Sequence, residues 1–254
     1  MSPAANLIPH SHAARMARHD DKRRRVLAFL RTEIWTLPEV ISLVAGVADP
    51  RTVRSTLAGL QRDELVARES CVLPSGRRVE LVGITMTGQA HAAHLLSKPL
   101  IERGFERGRA GLAQVEHRTD LQRLRIQLAQ AGWSGWTYPD RVSVQDKSQA
   151  GGHRPDAIAT APDGTVAAIE CERSVKTSKR YRAILSHHLT SIARGDYQLV
   201  IYTSPNEPTC GAVRSLISRC ERVIVTGRDM AVTTEMLAHF SFTTYQQLVE
   251  GATK

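Results

Sequence analysis

Three acidic residues, Asp156, Glu170 and Glu172, have a spacing that brings them together at one end of a predicted β-hairpin. The segment 165–172 is apolar until it ends with the two glutamates. Because side chains alternate between the two faces of a strand, these glutamates point the same way, ~7 Å apart along the backbone. Three carboxylates at one end of a hairpin repel each other. We therefore expect a divalent metal there, with all three acids as its ligands.

A short turn between the two predicted strands sets how the acids meet. Residues 161–164 include the proline, aspartate and glycine that favour chain reversal. We consider two registers for the hairpin, which place Asp156 opposite either Ile169 or Glu170. In both registers Asp156 lies at the open end of the hairpin, beside the glutamates.

Oxygen ligands of this kind suit Mg²⁺ or Mn²⁺, which we expect as the cofactor. Such a metal polarises a phosphodiester and lowers the pKa of a bound water, with Glu172 as a further ligand or as the group that orients that water. Lys176 and Lys179 lie on a predicted helix directly after the strand, and either could offset charge on the phosphorus. The alternative is structural, since two glutamates at the end of an edge strand are common on protein surfaces.

Periodic patterns around the hairpin predict the mixed α/β domain that must position these residues. The apolar segment 197–203 has the character of a strand buried on both faces. The other predicted elements are helices at 112–131, 174–192 and 208–220, strands at 136–138, 141–145 and 222–226, and a tail of helix and turn at 230–248.

Residues 21–95 predict a separate compact unit of three helices followed by a hairpin. Asp21 and Thr36 are the expected caps of the first two helices. Asp49-Pro50 starts the third helix with a cap residue followed by proline, and an apolar stripe follows at helical spacing. The turn of the hairpin, at 74–78, is basic.

This unit resembles winged-helix domains, in the run from Thr52 to Arg68 and in the ending Ile84-Thr85-Met86-Thr87-Gly88. In such domains the third helix enters the major groove of DNA and the wing contacts the backbone or the minor groove. The alternatives are a solvated helix face and a module that binds protein. The resemblance implies contacts with phosphates or guanine edges by the following residues: Arg51, Arg54, Ser55, Arg62, Arg77 and Arg78.

The C-terminal half resembles the PD-(D/E)xK nuclease fold. Pro155-Asp156 supplies the first motif, and Glu170-Cys171-Glu172 stands where that family has (D/E)-x-K. The match departs at its last position, where Glu172 replaces the lysine, and Lys176 or Lys179 would have to supply the missing positive charge. The predicted fold class is therefore α/β (α+β), with an N-terminal winged helix followed by a restriction-endonuclease-like core.

A closer resemblance, over roughly 22–230, is to the replication-relaxation family, which includes MobC-type relaxases of mobilisable plasmids. It is carried by His-Arg-Pro-Asp-Ala at 153–157, Ala-Ile-Glu-Cys-Glu-Arg-Ser at 168–174 and Lys-Arg-Tyr at 179–181. The resemblance implies metal-dependent nicking of one strand of double-stranded DNA at a plasmid origin, together with other plasmid transfer or replication proteins as partners. It also matches His117 to a histidine near the start of the preceding helix, and it leaves open whether this member still cuts.

Composition favours a polyanionic partner. The net charge is +9 and the pI about 9.8, so nucleic acid is the first expectation, an anionic membrane surface the second and a merely basic protein the third. The sequence contains neither an apolar run near the ~18 residues of a membrane span nor a signal-peptide pattern, which predicts a cytoplasmic location without membrane contact. The cysteines lack C-x-x-C spacing and are expected to be reduced thiols.

The sequence leaves the oligomeric state open and is compatible with a dimer.

Two other functions compete with the nuclease. One is a non-catalytic winged-helix regulator of plasmid replication or transcription with a degenerate nuclease fold. The other is a rolling-circle enzyme with a tyrosine nucleophile, for which Tyr181 is the nearest candidate. That enzyme needs paired metal-binding histidines on a strand. His187-His188 falls in a predicted helix, and His10 and His12 fall in a predicted frayed tail, so neither pair fits.

The predicted boundaries are 21–95 for the winged helix, 96–113 for a linker with helix, 114–230 for the nuclease-like domain and 231–254 for a C-terminal extension.

Overall fold

The computed structural model describes residues 11–139 and 153–252 of the chain. The described residues form both helices and β-sheets, which confirms the prediction of a mixed α and β fold. The chain divides into two compact units, Met1–Arg123 and Leu124–Lys254, and the division falls within one helix, α5.

The N-terminal unit is built of helices and one small antiparallel sheet. Its strands lie in the order β1-β3-β2, with β3 at the centre. A 3-10 turn at Leu112–Gln114 precedes its last helix. Its elements are α1 (His12–Glu33), β1 (Trp35–Thr36), α2 (Pro38–Ala45), α3 (Pro50–Arg62), β2 (Val66–Val72), β3 (Arg78–Ile84), α4 (Met86–Leu96) and the start of α5 (Val115–Gln130).

The first helix begins earlier than the sequence predicts. Ser11 caps α1 by accepting a hydrogen bond from the N–H of Ala14 at 3.1 Å, so residues 12–20 are helical and the prediction of a frayed tail is wrong for them. Asp21 therefore lies inside the helix, where it pairs with Arg25, and does not cap it. The predicted tail residue His10 lies outside the described residues.

Of the caps predicted for the next two helices, one is wrong and one is confirmed. Thr36 belongs to β1, and Leu37 precedes Pro38 at the start of α2, so the predicted cap is wrong by one residue. Asp49 is confirmed as the cap of α3, where its carboxylate accepts hydrogen bonds from the N–H groups of Arg51 and Thr52 at 3.0 and 3.2 Å. A carboxylate here satisfies N–H groups that have no partner within the helix.

The segment predicted to link two domains packs against the N-terminal sheet. Phe105 is buried, and its N–H donates to the carbonyl of Ile84 at 2.7 Å. A Cβ atom at Gly83 would lie 2.1 Å from Phe105 Cγ, so only glycine fits beneath this ring. The stretch between α4 and α5 is thus part of the N-terminal unit, which ends later than the predicted boundary.

The C-terminal unit is a five-stranded sheet with helices. β4, β5 and β6 are antiparallel, while β7 pairs with β6 and β10 with β7 in parallel, giving the order β10-β7-β6-β5-β4. Its elements after α5 are β4 (Ser134–Thr137), β5 (Ala157–Thr160), β6 (Val166–Cys171), α6 (Ser178–Arg194), β7 (Leu199–Ser204), α7 (Glu207–Ser218), β8 (Arg222–Val225), β9 (Arg228–Ala231), α8 (Thr234–Leu237), β10 (Phe240–Thr244) and α9 (Tyr245–Ala252).

Two predictions at the C-terminal end are confirmed only in part. The strand predicted at 222–226 is β8, and its Val223 and Val225 lie in the core. It is not buried on both faces, because it pairs only with β9 among the described strands and Ile224 is 54% exposed. The predicted tail of helix and turn contains β10, whose Phe240 joins the core with Tyr202 and α6. The strand predicted at 141–145 lies outside the described residues. Within the described part of the chain, the helices are too short or too polar to cross a membrane.

Candidate metal-binding site

The hairpin predicted from the sequence is present, and its register brings Asp156 opposite Glu170. β5 and β6 are antiparallel, with Ala157 paired with Ile169. Extending that register by one residue pairs Asp156 with Glu170, the second of the two alternatives considered. The parallel partner β7 places Tyr202 on the other side of Glu170. The glutamate therefore enters the site from a central strand.

Glu170 is a buried carboxylate that lies between two histidines. It is 1% exposed, its Oε1 makes a 2.6 Å hydrogen bond with His153 Nε2, and His188 Nε2 lies 3.1 Å from the same oxygen. Burial raises the pKa of Glu170, but the hydrogen bonds and positive charges of His153 and His188 outweigh it and hold the pKa at about 2. The carboxylate is therefore ionised at any physiological pH, provided that positive charge stays beside it.

His188 reaches Glu170 from the buried face of α6. Its Nδ1 makes a 2.7 Å hydrogen bond with the hydroxyl of Tyr197, and its ring packs edge-on against Tyr197, Tyr202 and Phe240. These contacts fix the direction of Nε2. Nε2 lies 3.1 Å from Glu170 Oε1, close enough to donate a hydrogen bond to it in the tautomer that carries its proton on Nε2.

Asp156 and Glu172 lie near Glu170 but make separate contacts. Asp156 Oδ2 accepts a hydrogen bond from the N–H of Cys171 at 2.8 Å. Glu172 is 2% exposed and its Oε1 accepts a hydrogen bond from Lys176 Nζ. Burial raises the pKa of Glu172, the lysine opposes that shift, and the charges of Glu170 and Asp156 add to it. The three acids thus influence one another electrostatically, as the sequence predicts.

The residues that converge most closely are not the predicted set. Among the described residues, the one group of three ligand atoms within 4.8 Å of one another belongs to His153, Glu170 and His188. Asp156 and Glu172 stand outside this group. Only Glu170 is shared between the predicted ligands and the observed cluster.

Lys176, rather than Lys179, supplies positive charge beside the acids. Lys176 contacts Glu172, and its Nζ lies 6.0 Å from the centre of the Tyr181 ring. The Tyr181 hydroxyl accepts a hydrogen bond from the N–H of Lys176, the side chain is fully buried, and burial raises its pKa to about 12. A buried, neutral phenol does not suit the nucleophile of a rolling-circle enzyme.

Lys179 lines a groove between α6 and the end of α7. The groove has a volume of about 520 Å³, and Arg182, Arg219 and Arg222 line it together with Lys179 and the acidic Glu221. Its cations outnumber its acids. The groove can therefore accept an anion, and Lys179 belongs to it rather than to the cluster around Glu170.

The residues predicted to contact DNA all have exposed side chains in the N-terminal unit. Those on α3 lie off its buried stripe of Val53, Leu57 and Leu60. Arg77 lies 3.6 Å from Glu116, whereas the other arginines of the set make no ion pair within the described ranges 11–139 and 153–252. The exposed residues are Arg51, Arg54, Ser55, Arg62, Arg77 and Arg78.

His117 and the cysteines, which the sequence analysis also singled out, are not part of the described ligand group around Glu170, although Cys171 neighbours Glu170 on β6. His117 is half-buried near the start of α5, within the N-terminal unit. The cysteines form no disulfide within the described residues, and Cys171 Sγ lies 2.9 Å from the hydroxyl of Tyr245.

Sequence reasoning missed both histidines as partners of Glu170. His188 falls four residues after Ile184 on the buried stripe of α6, so a histidine at an apolar position was the available signal. His153 precedes β5 by four residues, and no spacing rule connects it to Glu170. Its position depends on the path of the chain before the strand.

Comparison with family models, curated proteins and solved structures finds no match to this chain. The resemblances to winged-helix, PD-(D/E)xK and replication-relaxation proteins rest on the residues themselves.

Proposed function

We propose that this protein is a divalent-metal-dependent endonuclease that binds double-stranded plasmid DNA and nicks it at an origin. The observation that carries the proposal is the ionised, buried Glu170, held beside two imidazoles and opposite Asp156 at the open end of a hairpin. Such a carboxylate needs a cation, and carboxylate and imidazole are both metal ligands. A replicative or mobilisation role, with other plasmid proteins as partners, follows the replication-relaxation resemblance.

The topology of the C-terminal sheet supports a PD-(D/E)xK-like core. A helix, three antiparallel strands, a helix and a parallel strand follow one another as α5, β4, β5, β6, α6 and β7. Asp156 precedes the second strand, Glu170 lies near the end of the third and Glu172 directly follows it, which are the positions of the motif acids. We assign the role of the missing lysine of the motif to Lys176, because it contacts Glu172.

The residues of the chain have distinct roles in this proposal. A bound Mg²⁺ or Mn²⁺ would supply Lewis-acid chemistry by polarising the phosphodiester and lowering the pKa of a water. Glu170 would hold the metal, and Asp156 fixes the end of β6 through the N–H of Cys171. Glu172, with its raised pKa, orients water or accepts its proton, and Lys176 offsets negative charge on the phosphate.

The N-terminal unit supports a DNA-reading role as a winged helix. Three helices are interleaved with the strands of a β1-β3-β2 antiparallel sheet, and the β2–β3 hairpin projects a basic turn. In that arrangement α3 is the recognition helix, with Arg51, Arg54 and Arg62 exposed. Arginines in such positions contact phosphates and guanine edges.

The experiment that tests the proposal is nicking of supercoiled plasmid by Asp156 variants. Asp156→Ala should abolish Mn²⁺-supported nicking while DNA binding is retained, and Asp156→Asn, which keeps an oxygen that can accept from the N–H of Cys171, should nick more than Asp156→Ala. Asp163→Asn is the matched control, because this exposed aspartate lies in the turn of the same hairpin, where it accepts a local hydrogen bond from the N–H of Thr165. If the Asp156 variants nick as well as the unaltered protein, the proposed site is wrong.

A second candidate function is a non-catalytic DNA-binding regulator. The observation that favours it is that Glu172 is already neutralised by Lys176, while Asp156 and Glu172 stand outside the closest ligand group. This function predicts salt-sensitive binding to DNA and no cleavage with any divalent metal. The two candidates therefore differ in the nicking assay and agree in the binding assay.

A further inference from the structure

We propose that His153, Glu170 and His188 form a binding site for a single divalent transition metal, of the class of Zn²⁺ or Mn²⁺, with both histidines as ligands. This inference deepens the proposed function by naming the ligands and the class of metal, and metal binding can be tested apart from nicking.

The geometry of the three side chains is close to what one metal ion requires. Imidazole nitrogen and carboxylate oxygen bind Zn²⁺ at roughly 2.0–2.2 Å, which places ligand atoms about 3.3–3.6 Å from one another in tetrahedral geometry. His188 Nε2 lies 3.1 Å from Glu170 Oε1, slightly closer than that, and the whole group lies within 4.8 Å. His153 Nε2, at 2.6 Å from the same oxygen, would need to move away by roughly 0.7–1.0 Å.

His188 directs a buried nitrogen at Glu170. Its Nδ1 is hydrogen-bonded to the Tyr197 hydroxyl at 2.7 Å, and its Nε2 lies 3.1 Å from Glu170 Oε1. If Nδ1–H donates to Tyr197, the lone pair of Nε2 points at the carboxylate, and a cation between the two atoms would satisfy both of them.

The buried charge of the site also suits a cation. The carboxylate of Glu170 is buried and lies beside two histidine rings whose centres are 5.2 Å apart. One divalent ion at this place would bind the carboxylate and an imidazole nitrogen of each histidine.

The ligand types decide the class of metal. Imidazole favours transition metals such as Zn²⁺, whereas Mg²⁺ prefers oxygen ligands and keeps most of its water. Three protein ligands leave coordination positions open, as in catalytic zinc sites that hold two histidines and a glutamate. Tyr197 is a positioning residue, because its hydrogen bond to Nδ1 orients the ring of His188.

The test is calorimetric titration of the full-length, chelator-treated protein with ZnCl₂, MnCl₂ and MgCl₂. We expect a single tight Zn²⁺ site, weaker binding of Mn²⁺ at the same site and no displacement of Zn²⁺ by MgCl₂. His188→Gln and His153→Ala should each weaken Zn²⁺ binding by more than about 100-fold, and Tyr197→Phe by about 10- to 100-fold. His187→Gln, one residue away on α6 and outside the ligand group, should bind Zn²⁺ like the unaltered protein.

Folding of each variant is checked by circular dichroism. His153→Ala carries the test if the core variant His188→Gln does not fold, because the His153 side chain is 14% exposed and lies outside the helices and strands. The proposal is overturned if the unaltered protein binds no Zn²⁺, if His153→Ala binds it equally well, or if Mg²⁺ competes with Zn²⁺. Tight Zn²⁺ binding without nicking by any metal would refute the proposed function alone. Nicking by the unaltered protein, together with unchanged Zn²⁺ binding by His153→Ala, would refute these ligands and leave the nuclease standing.

Discussion

Arg54→Ala should weaken DNA binding and reduce its dependence on salt. Arg54 is exposed on α3 and makes no ion pair within the described ranges, so its charge is available for a phosphate. Each phosphate that a protein neutralises changes the slope of log K against log salt concentration by about 0.9. Removing this one contact should therefore reduce the slope by about that amount.

The magnitude follows from the exposed arginines of the N-terminal unit. If Arg51, Arg54, Arg62, Arg77 and Arg78 each contact one phosphate, the slope is about −4.5, and affinity falls about 500-fold between 50 and 200 mM salt. With Arg54→Ala the slope becomes about −3.6 and the loss about 150-fold. Arg77 lies 3.6 Å from Glu116. Because this glutamate already offsets part of its charge, Arg77 should contribute less to the salt slope than the other four arginines.

The assay is fluorescence anisotropy with a labelled duplex from the origin of the replicon that encodes the protein, measured across a salt series. Arg25→Ala is the control, since that exposed arginine on α1 is already paired with Asp21 at 2.7 Å. An unchanged slope for Arg54→Ala, or an equal change for Arg25→Ala, would contradict the assignment of α3 as the DNA-contacting helix.

Three further predictions concern the fold of the N-terminal unit. Leu57→Ala should lower the free energy of unfolding by about 2–5 kcal/mol, because the side chain is fully buried and its removal leaves a cavity. Urea denaturation measures the loss. A loss smaller than this range would mean that α3 packs more loosely than described. Gly83→Ala should destabilise the fold by about 1–3 kcal/mol, because the new Cβ would overlap the Phe105 ring, and an unaffected melting temperature would show that residues 97–111 do not pack on β3. The pKa of Asp49 is lowered by hydrogen bonds from the N–H of Arg51 and from Thr52, so its stabilising effect is present above its ordinary pKa and is lost as pH falls through the lowered value. Asp49→Ala should therefore lower the melting temperature at pH 7, and the difference from the unaltered protein should shrink at pH 3; a constant difference would rule out the carboxylate cap as its cause.

Local rules were sufficient where a few neighbouring residues decide the structure. Asp49-Pro50 predicted the start of α3, and the proline, aspartate and glycine of 161–164 predicted the hairpin turn. The register of that hairpin remained open between two alternatives. A one-residue slip changes which residue faces Asp156, and only the pairing of β5 with β6 decides it.

Long-range placement explains what the sequence did not predict. β10 gains its partner from β7, about 40 residues earlier, and nothing in its own sequence distinguishes it from a tail. The two histidines beside Glu170 come from the segment before β5 and from the buried face of α6, and the fold alone brings them together. The acids, by contrast, were found because their spacing on one hairpin is local.

The most direct measurement of the central claim is the conversion of supercoiled origin plasmid to open circles by the purified full-length protein, with Mn²⁺ and with EDTA. We predict open circles with Mn²⁺, none with EDTA, and none for Glu170→Gln, which removes the charge of the one acid shared by the predicted ligands and the observed cluster. Plasmid that stays supercoiled with Mn²⁺, or equal nicking by Glu170→Gln, would contradict the claim that this is a metal-dependent nuclease acting at Glu170.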